Sequence, residues 1–203
     1  MRRNLQFNEG VEMMRAGLLA RIYNLALRVC NLEIMLSPCW SMKRRGCCMA
    51  DALAQVIVSV AGTYVNMGVA YEKLGDYKNA LVHQQKALDI YERALGPSHV
   101  SCAVTHANIG STYQKMGDTE NAMTHLSIAL PIHLESLGPK HIYVAEVKNI
   151  MGAVYNQLSN HELARQLLQD AHDIYFESLG PLHPDTLKAA HDLAEVCRLS
   201  NLG

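Results

Sequence analysis

The stretch Leu95-Gly96-Pro97-Ser98-His99 recurs as Leu137-Gly138-Pro139-Lys140-His141 and again as Leu179-Gly180-Pro181-Leu182-His183. The three copies begin at positions 95, 137 and 179, so they lie 42 residues apart. A fixed period of this length is typical of a repeat array, in which each repeat is one supersecondary unit. The period therefore predicts the fold class before any local propensity is considered. It also favours a binding surface over a catalytic pocket.

The repeat extends beyond these linkers. With average residue usage near 5–10%, well under about one triple identity is expected by chance in a repeat of this length. Superposition of residues 61–102, 103–144 and 145–186 nevertheless aligns several identical triplets: Gly68, Gly110 and Gly152; Tyr71, Tyr113 and Tyr155; Ala80, Ala122 and Ala164; Ala87, Ala129 and Ala171; and Ile90, Ile132 and Ile174. The chain therefore contains three full repeats.

Each repeat is predicted to form two helices, which in the first repeat cover roughly residues 61–74 and 77–95. Gly75 and Gly117 suit the position just past a helix end, where a positive φ is needed. Residues 159–160, Ser-Asn, replace this glycine in the third repeat, and we expect the asparagine to tolerate the same conformation. The Leu-Gly-Pro linker then ends the second helix, because proline cannot continue it.

The small residues indicate how the two helices of a repeat pack. Ala80 and Ala87 are seven residues apart and share one face of the second helix, while Gly68 lies in the first helix. Small side chains at these points allow two antiparallel helices to approach closely, with Tyr71 and Ile90 filling the adjacent space. One such pair cannot bury its apolar face alone, so the stacked repeats are expected to share a continuous core.

This pattern of glycine, tyrosine and alanine resembles the tetratricopeptide repeat (TPR). The 42-residue length and the linker make it similar to the kinesin light chain and nephrocystin type, whose linker usually reads L-G-x-x-H-P. The segment from Leu179 to Pro184 matches that linker in full, whereas Val100 and Ile142 replace the proline in the other two. The resemblance covers about residues 53–203. It implies an all-α fold, a right-handed superhelix of antiparallel helix pairs (a TPR α-solenoid).

In a TPR superhelix the first helices line the concave face, and the resemblance implies which residues point into it. Asparagine offers both a donor and an acceptor, so it can hold the backbone of an extended peptide. Lys73 and Lys115 favour an acidic peptide. The alternative is that some of these asparagines only cap or bridge neighbouring helices. The predicted peptide-binding groove comprises Asn66, Val69, Lys73, Asn108, Ser111, Lys115, Asn149 and Asn156.

One ligand class is disfavoured by the same resemblance. TPR domains of the chaperone-binding type clamp a C-terminal carboxylate with lysine and asparagine at set positions. Of the matching residues in this chain, only Asn108 agrees with that pattern, and Glu146 would repel the carboxylate. We therefore do not predict a receptor for chaperone tails.

The two ends of the chain do not form complete repeats. Residues 1–52 are predicted to be a non-repeat N-terminal segment, partly helical. Its apolar stretch with interspersed arginines is either a degenerate helix of the array or an Arg-rich targeting peptide. Within it, residues 36–50 are interpreted as a linker or an irregular insertion. The TPR array is assigned to residues 53–203, and its last helix, about residues 185–199, is expected to cap the third repeat.

Charge and cysteine content exclude several classes of function. The net charge of −1 combines +5 in residues 1–50 with −6 in residues 51–203, so the array lacks the basic stripe of a nucleic-acid binder. The apolar stretch at residues 52–61 is too short for a membrane span, which needs about 20 residues. The six cysteines include no C-x-x-C motif and are expected to be reduced thiols of an intracellular protein. Any role for Cys47 and Cys48 stays open.

Ten histidines raise the question of catalysis or metal binding. His99, His141 and His183 belong to the linkers, and repeats displaced by roughly 10 Å keep them from converging on one metal. His161 begins a motif like that of zinc proteases, but Arg165 stands where the second histidine is required. We therefore predict no enzyme, no cofactor and no metal site. Five further histidines are assigned to positions that do not repeat: His106, His125, His133, His172 and His191.

The leading hypothesis is an adaptor for protein–protein interaction that binds an extended peptide in the concave groove, similar to a kinesin light chain. The expected partner is a protein or peptide, by resemblance a kinesin heavy chain or a cargo. No nucleic acid and no membrane span is expected. The expected location is cytoplasmic, with the cytoskeleton as the site of association. The alternatives are a structural subunit of a cytoskeletal or ciliary assembly, and a regulatory TPR domain of a signalling protein.

Overall fold

The structure is a computed structural model that describes residues 45–200 of the 203, with side chains from residue 54 to residue 199. Within these residues the chain is entirely helical, and turns connect the helices. The seven helices are α1 (Arg45–Lys73), α2 (Tyr77–Leu95), α3 (Val100–Met116), α4 (Thr119–Leu137), α5 (Ile142–Gln157), α6 (His161–Leu179) and α7 (Pro184–Ser200). The all-α solenoid that the 42-residue period predicts is confirmed.

The helices pack in the order that the repeat predicts. α1 packs against α2, α3 against α4 and α5 against α6, while α7 packs against α6. The first helices also contact one another, α1 with α3, α3 with α5 and α5 with α7. Because each contact joins neighbours along the array, the core is a row of linked clusters of apolar residues.

The first helix of the array starts earlier than the repeat pattern predicts. α1 is 29 residues long and begins at Arg45, whereas the expected helix began near residue 61. The interpretation of residues 36–50 as a linker or an irregular insertion is therefore wrong for residues 45–50. Residues 45–50 have no counterpart in the other repeats, so the repeat pattern could not predict their structure. The expectations for residues 1–44 lie outside the described residues, and the domain boundary at residues 52/53 stays a prediction.

The repeated linker residues begin and end the helices. His99, His141 and His183 each accept a hydrogen bond at Nδ1 from the backbone N–H two residues later, at 3.1, 3.2 and 3.2 Å. These bonds satisfy N–H groups of the first helical turn that have no partner within the helix. The linker histidines therefore cap the helices that follow them.

The position after the first helix of each repeat requires a left-handed backbone conformation. Gly75 and Gly117 have φ values of 80° and 81°, as expected. In the third repeat it is Ser159 that adopts the positive φ, 58°, and not the asparagine that we expected. Asn160 has a φ of −91° and caps α6, since its side chain accepts a hydrogen bond from the backbone N–H of Leu163. It therefore takes the place of an aspartate N-cap, which is Asp118 in the preceding repeat.

The glycines inside the first helices allow the two helices of each repeat to touch. A Cβ atom at Gly68, Gly110 or Gly152 would lie 2.6–2.8 Å from the Cγ atom of the residue opposite it. That residue is Gln84, Leu126 or Leu168, and all three are buried. The close approach predicted from the small residues is confirmed. A further identical column, Ala61, Ala103 and Ala145, is completely buried as well.

Candidate functional site

A groove of about 430 Å³ runs along the face formed by the first helices. It receives side chains from α1, α3, α5 and α7, which contact one another in that order, and from the C-terminal half of α6. Its walls are formed by Val69, Glu72, Asn108, Ser111, Lys115, Ile142, Tyr143, Glu146, Asn149, Ile150, Tyr175, Leu179, Asp185 and Lys188.

Most of the residues proposed from the sequence are brought together in this groove. Among its walls are Val69, Asn108, Ser111, Lys115 and Asn149. The other three do not line it. Asn66 and Lys73 are exposed, and Asn156 instead bridges to α6, where its Oδ1 lies 3.0 Å from the Nδ1 of His161. The alternative interpretation, in which some asparagines only bridge helices, fits Asn156.

The sequence-based proposal missed the residues that come from the last two helices. Asp185 and Lys188 lie in α7, which occupies the place of a fourth first helix, and Tyr175 and Leu179 lie in α6. A signal for α7 was present, because Lys188 follows the groove residue Glu146 by one 42-residue period. The contribution of α6 carries no such signal, since the resemblance assigns only the first helices to the concave face.

A polar network closes one end of the groove around Glu72. The side chain of Glu72 is only 10% exposed, and its carboxylate forms a salt bridge with Lys115. The Thr112 hydroxyl lies 2.8 Å from Oε2 of Glu72, and the Ser111 hydroxyl lies 3.5 Å from Oε1. The network joins α1 to α3. The negative charge of Glu72 neutralises the positive charge of Lys115, so this pair adds no net charge to this end of the groove.

The opposite end of the groove, between α5 and α7, carries excess negative charge. Burial raises the pKa of Glu146, and the neighbouring Asp185 raises it further, while Lys188 partly opposes this effect. The pKa of Tyr175 is raised by burial and then by the charges of Glu146 and Asp185. The same two carboxylates therefore act on one buried phenol, which places them on the same side of the groove.

His83 and His125, which do not line this groove, each pack against two other rings. His83 stacks on Tyr64 and Tyr71, with ring centroids 5.8 and 5.2 Å apart, and His125 lies between His106 and Tyr113 in the same way. His83 and His125 are 42 residues apart, so the assignment of His125 to a position that does not repeat is wrong. Among the described residues, no group of three or more potential ligands could hold a metal ion.

The network around Glu72 makes a testable contribution to stability. We expect Lys115→Met to lower the free energy of unfolding by about 1–2 kcal/mol, because a mostly buried carboxylate loses its cationic partner. Urea unfolding at pH 7 measures this change. The matched control is Lys140→Met, which removes a salt bridge to Glu177 in which both side chains are largely exposed. The control should leave the urea midpoint unchanged. If both variants lower the free energy of unfolding equally, the pair of Glu72 and Lys115 stabilises the protein no more than an exposed pair does.

Comparisons with known proteins agree with this architecture. The structure is similar to that of BtubC (BKLC) from P. vanneervenii, with a TM-score of 0.61 and 16% identity over 94% of this chain and 84% of that one. It is also similar to a Podosopora anserina putative kinesin light chain with nearly identical TPR-like repeats. In that comparison the TM-score is 0.54 and the identity 17%, over 92% of this chain and 89% of that one.

No curated protein sequence matches the chain significantly. Within residues 45–200, no helix has the length and apolar character needed to cross a membrane. The sequence profile of the tetratricopeptide repeat family matches residues 59–135, 103–175 and 143–202, which together cover well over half of the chain. The chain therefore belongs to the tetratricopeptide repeat family, and its 42-residue repeats have the fold of the kinesin light chain type.

Proposed function

We propose that this protein is a non-enzymatic adaptor that binds an extended peptide segment of a partner protein in the groove between α1 and α7. The observation that carries the proposal is the groove itself. One continuous depression collects apolar, amide and charged side chains from every first helix of the array, from Val69 in α1 to Lys188 in α7. A surface built in this way suits an elongated ligand better than a small molecule, because its walls repeat along one direction.

The chemistry of the walls supports a peptide ligand. Asn108 and Asn149 offer amide groups for the peptide backbone. Ile142, Ile150 and Leu179 provide apolar contact for side chains. The mixture of a few polar groups and an apolar wall is typical of recognition sites that read an extended segment. TPR domains as a family serve protein–protein interaction, which agrees with this assignment.

The finer expectations rest on the resemblance alone. A kinesin heavy chain or a cargo protein would be the partner, and the protein would act in the cytoplasm at the cytoskeleton. The expected preference for an acidic peptide depended on Lys73 and Lys115. Lys73 does not line the groove, and Lys115 is paired with Glu72, so the contacts in the groove do not support that preference.

Blocking the groove tests the proposal. We expect Ser111→Tyr, which places a bulky neutral side chain on the groove wall, to weaken binding of peptides selected on the wild-type chain by more than about tenfold. The peptides come from a phage-displayed library of random 12-residue sequences, and binding is measured by fluorescence anisotropy. Ser127→Tyr is the matched control, because Ser127 is exposed on α4 and does not line the groove. Equal binding by both variants would place the peptide site elsewhere.

A further inference from the structure

Charged groups are unevenly distributed along the groove. At the α1–α3 end, Glu72 and Lys115 neutralise each other. At the α5–α7 end, two carboxylates, Glu146 and Asp185, stand against the single ammonium group of Lys188. Neither Glu146 nor Lys188 forms an ion pair within 4.0 Å among the described residues. An oxygen of Asp185 lies 3.5 Å from Nδ1 of His183, but that nitrogen accepts the backbone N–H of Asp185 and donates nothing to the carboxylate. The second end therefore keeps one negative charge without a partner.

Glu146 is the less satisfied of these two carboxylates. Its surroundings shield it largely but not completely from water, and the neighbouring carboxylate Asp185 repels it, with a smaller contribution from Glu72. No described side chain donates a hydrogen bond to it. A buried carboxylate in this condition is unfavourable unless a cation or a donor reaches it. Lys188 reduces the repulsion only in part, because it faces two carboxylates and is itself exposed to solvent.

Asn149 provides a second, independent sign of a missing donor. It lies three residues after Glu146 in α5, so the two side chains share one face of the helix. The Oδ1 atom of Asn149 is buried and has no hydrogen-bond partner among the described residues. Lysine and arginine side chains carry donors only, so a cation at this place would suit both the carboxylate and the amide oxygen.

The walls beside these groups fit the rest of a basic side chain. Ile142, Ile150 and Leu179 line the same groove, and Tyr143 adds an aromatic ring. Lysine and arginine bury their methylene stems along apolar surface while their charged ends seek polar groups.

We propose that the α5–α7 end of the groove binds a lysine or arginine side chain of the peptide, held by Glu146 and Asp185 with the amide oxygen of Asn149. This inference rests on the proposed peptide-binding function and names the ligand class. It reverses the acidic preference expected from the sequence. It also agrees with the expectation that a free C-terminal carboxylate binds poorly here, since the two carboxylates would repel it.

Selection of peptides from the random 12-residue phage library on the full chain tests this inference. We expect the enriched sequences to share a lysine or arginine at one fixed position. The double variant Glu146→Gln/Asp185→Asn should still select peptides but lose this basic position. Enriched peptides without a shared basic residue, or with an acidic one, would overturn the inference and leave the proposed function standing. If no peptide is enriched, or if Ser111→Tyr binds the enriched peptides as well as wild type, both proposals fail.

A quantitative cycle then separates charge recognition from general damage to the groove. We expect the double variant to bind the best lysine peptide about tenfold more weakly than wild type, and to bind its norleucine analogue within about twofold. Equal losses for both peptides would contradict a charge contact. Glu135→Gln is the matched control, because Glu135 is exposed on α4 and does not line the groove. The single variant Asp185→Asn, at an exposed site, repeats the test if the double variant unfolds, and circular dichroism checks the fold of each.

Discussion

Gly110→Ala is expected to destabilise the protein, although alanine is the better helix former. The added Cβ atom would lie 2.8 Å from Cγ and 2.9 Å from Cδ2 of Leu126, and 3.3 Å from the carbonyl oxygen of Ala122. Leu126 is completely buried, so any movement of its side chain must displace neighbouring core atoms. The helices α3 and α4 must then separate or Leu126 must leave its preferred rotamer, and such overpacking costs typically 1–3 kcal/mol.

Gly62→Ala is the matched control for this experiment. Gly62 also lies within a first helix, but a Cβ atom there would meet only the hydroxyl oxygen of Tyr91, at an ordinary contact distance of 3.5 Å. Alanine should therefore be neutral, or stabilising by up to about 1 kcal/mol. Both variants gain the same helix propensity, so the difference between their free energies of unfolding, measured in urea, isolates the steric term. If the two variants are equally stable, the glycine column is not needed for close packing.

The features that repeat were predictable from the sequence because each is repeated for a physical reason. A glycine stands at the position of Gly110 in every repeat because a Cβ atom there would clash with the facing helix. A histidine stands at the position of His141 in every linker because its ring caps the next helix. Three copies of the same requirement make it visible without any structure. The same logic explains the failure at the N-terminal end, where α1 extends back to Arg45 in a segment that has no second copy.

The groove was less predictable because its chemistry depends on contacts between repeats. The family pattern indicated that Lys115 faces the groove, but the pairing of Lys115 with Glu72 joins residues 43 positions apart. This pairing depends on how far one repeat is displaced against the next, which the period alone does not specify. Tyr175 was missed for a similar reason, since it belongs to a second helix and reaches the groove wall through the packing of α6 against α5 and α7.

Acidification from pH 7 to pH 5 is expected to lower the free energy of unfolding, chiefly through the histidine pair in the second repeat. The Nδ1 atoms of His106 and His125 lie 2.9 Å apart, so one ring must donate and the other accept. Burial, with the charge of His125, lowers the pKa of His106 to about 4, and burial lowers the pKa of His125. The unfolded chain binds these protons near the ordinary pKa of 6.5. Stability is therefore complete above about pH 6.5 and falls as the pH drops toward 4.

For His106, the shift corresponds to a loss of about 1–2 kcal/mol between pH 7 and pH 5, after allowance for partial screening by solvent. Urea unfolding at several pH values measures this slope. His106→Tyr should flatten it, because the variant removes the titrating ring and places there the residue type that stacks on His83 in the first repeat, Tyr64. His191→Gln is the control, since His191 is largely exposed and should leave the slope unchanged. If His106→Tyr does not reduce the slope of stability against pH, the pH dependence arises from other groups. His133 is the first of these to test, because it is buried and burial lowers its pKa.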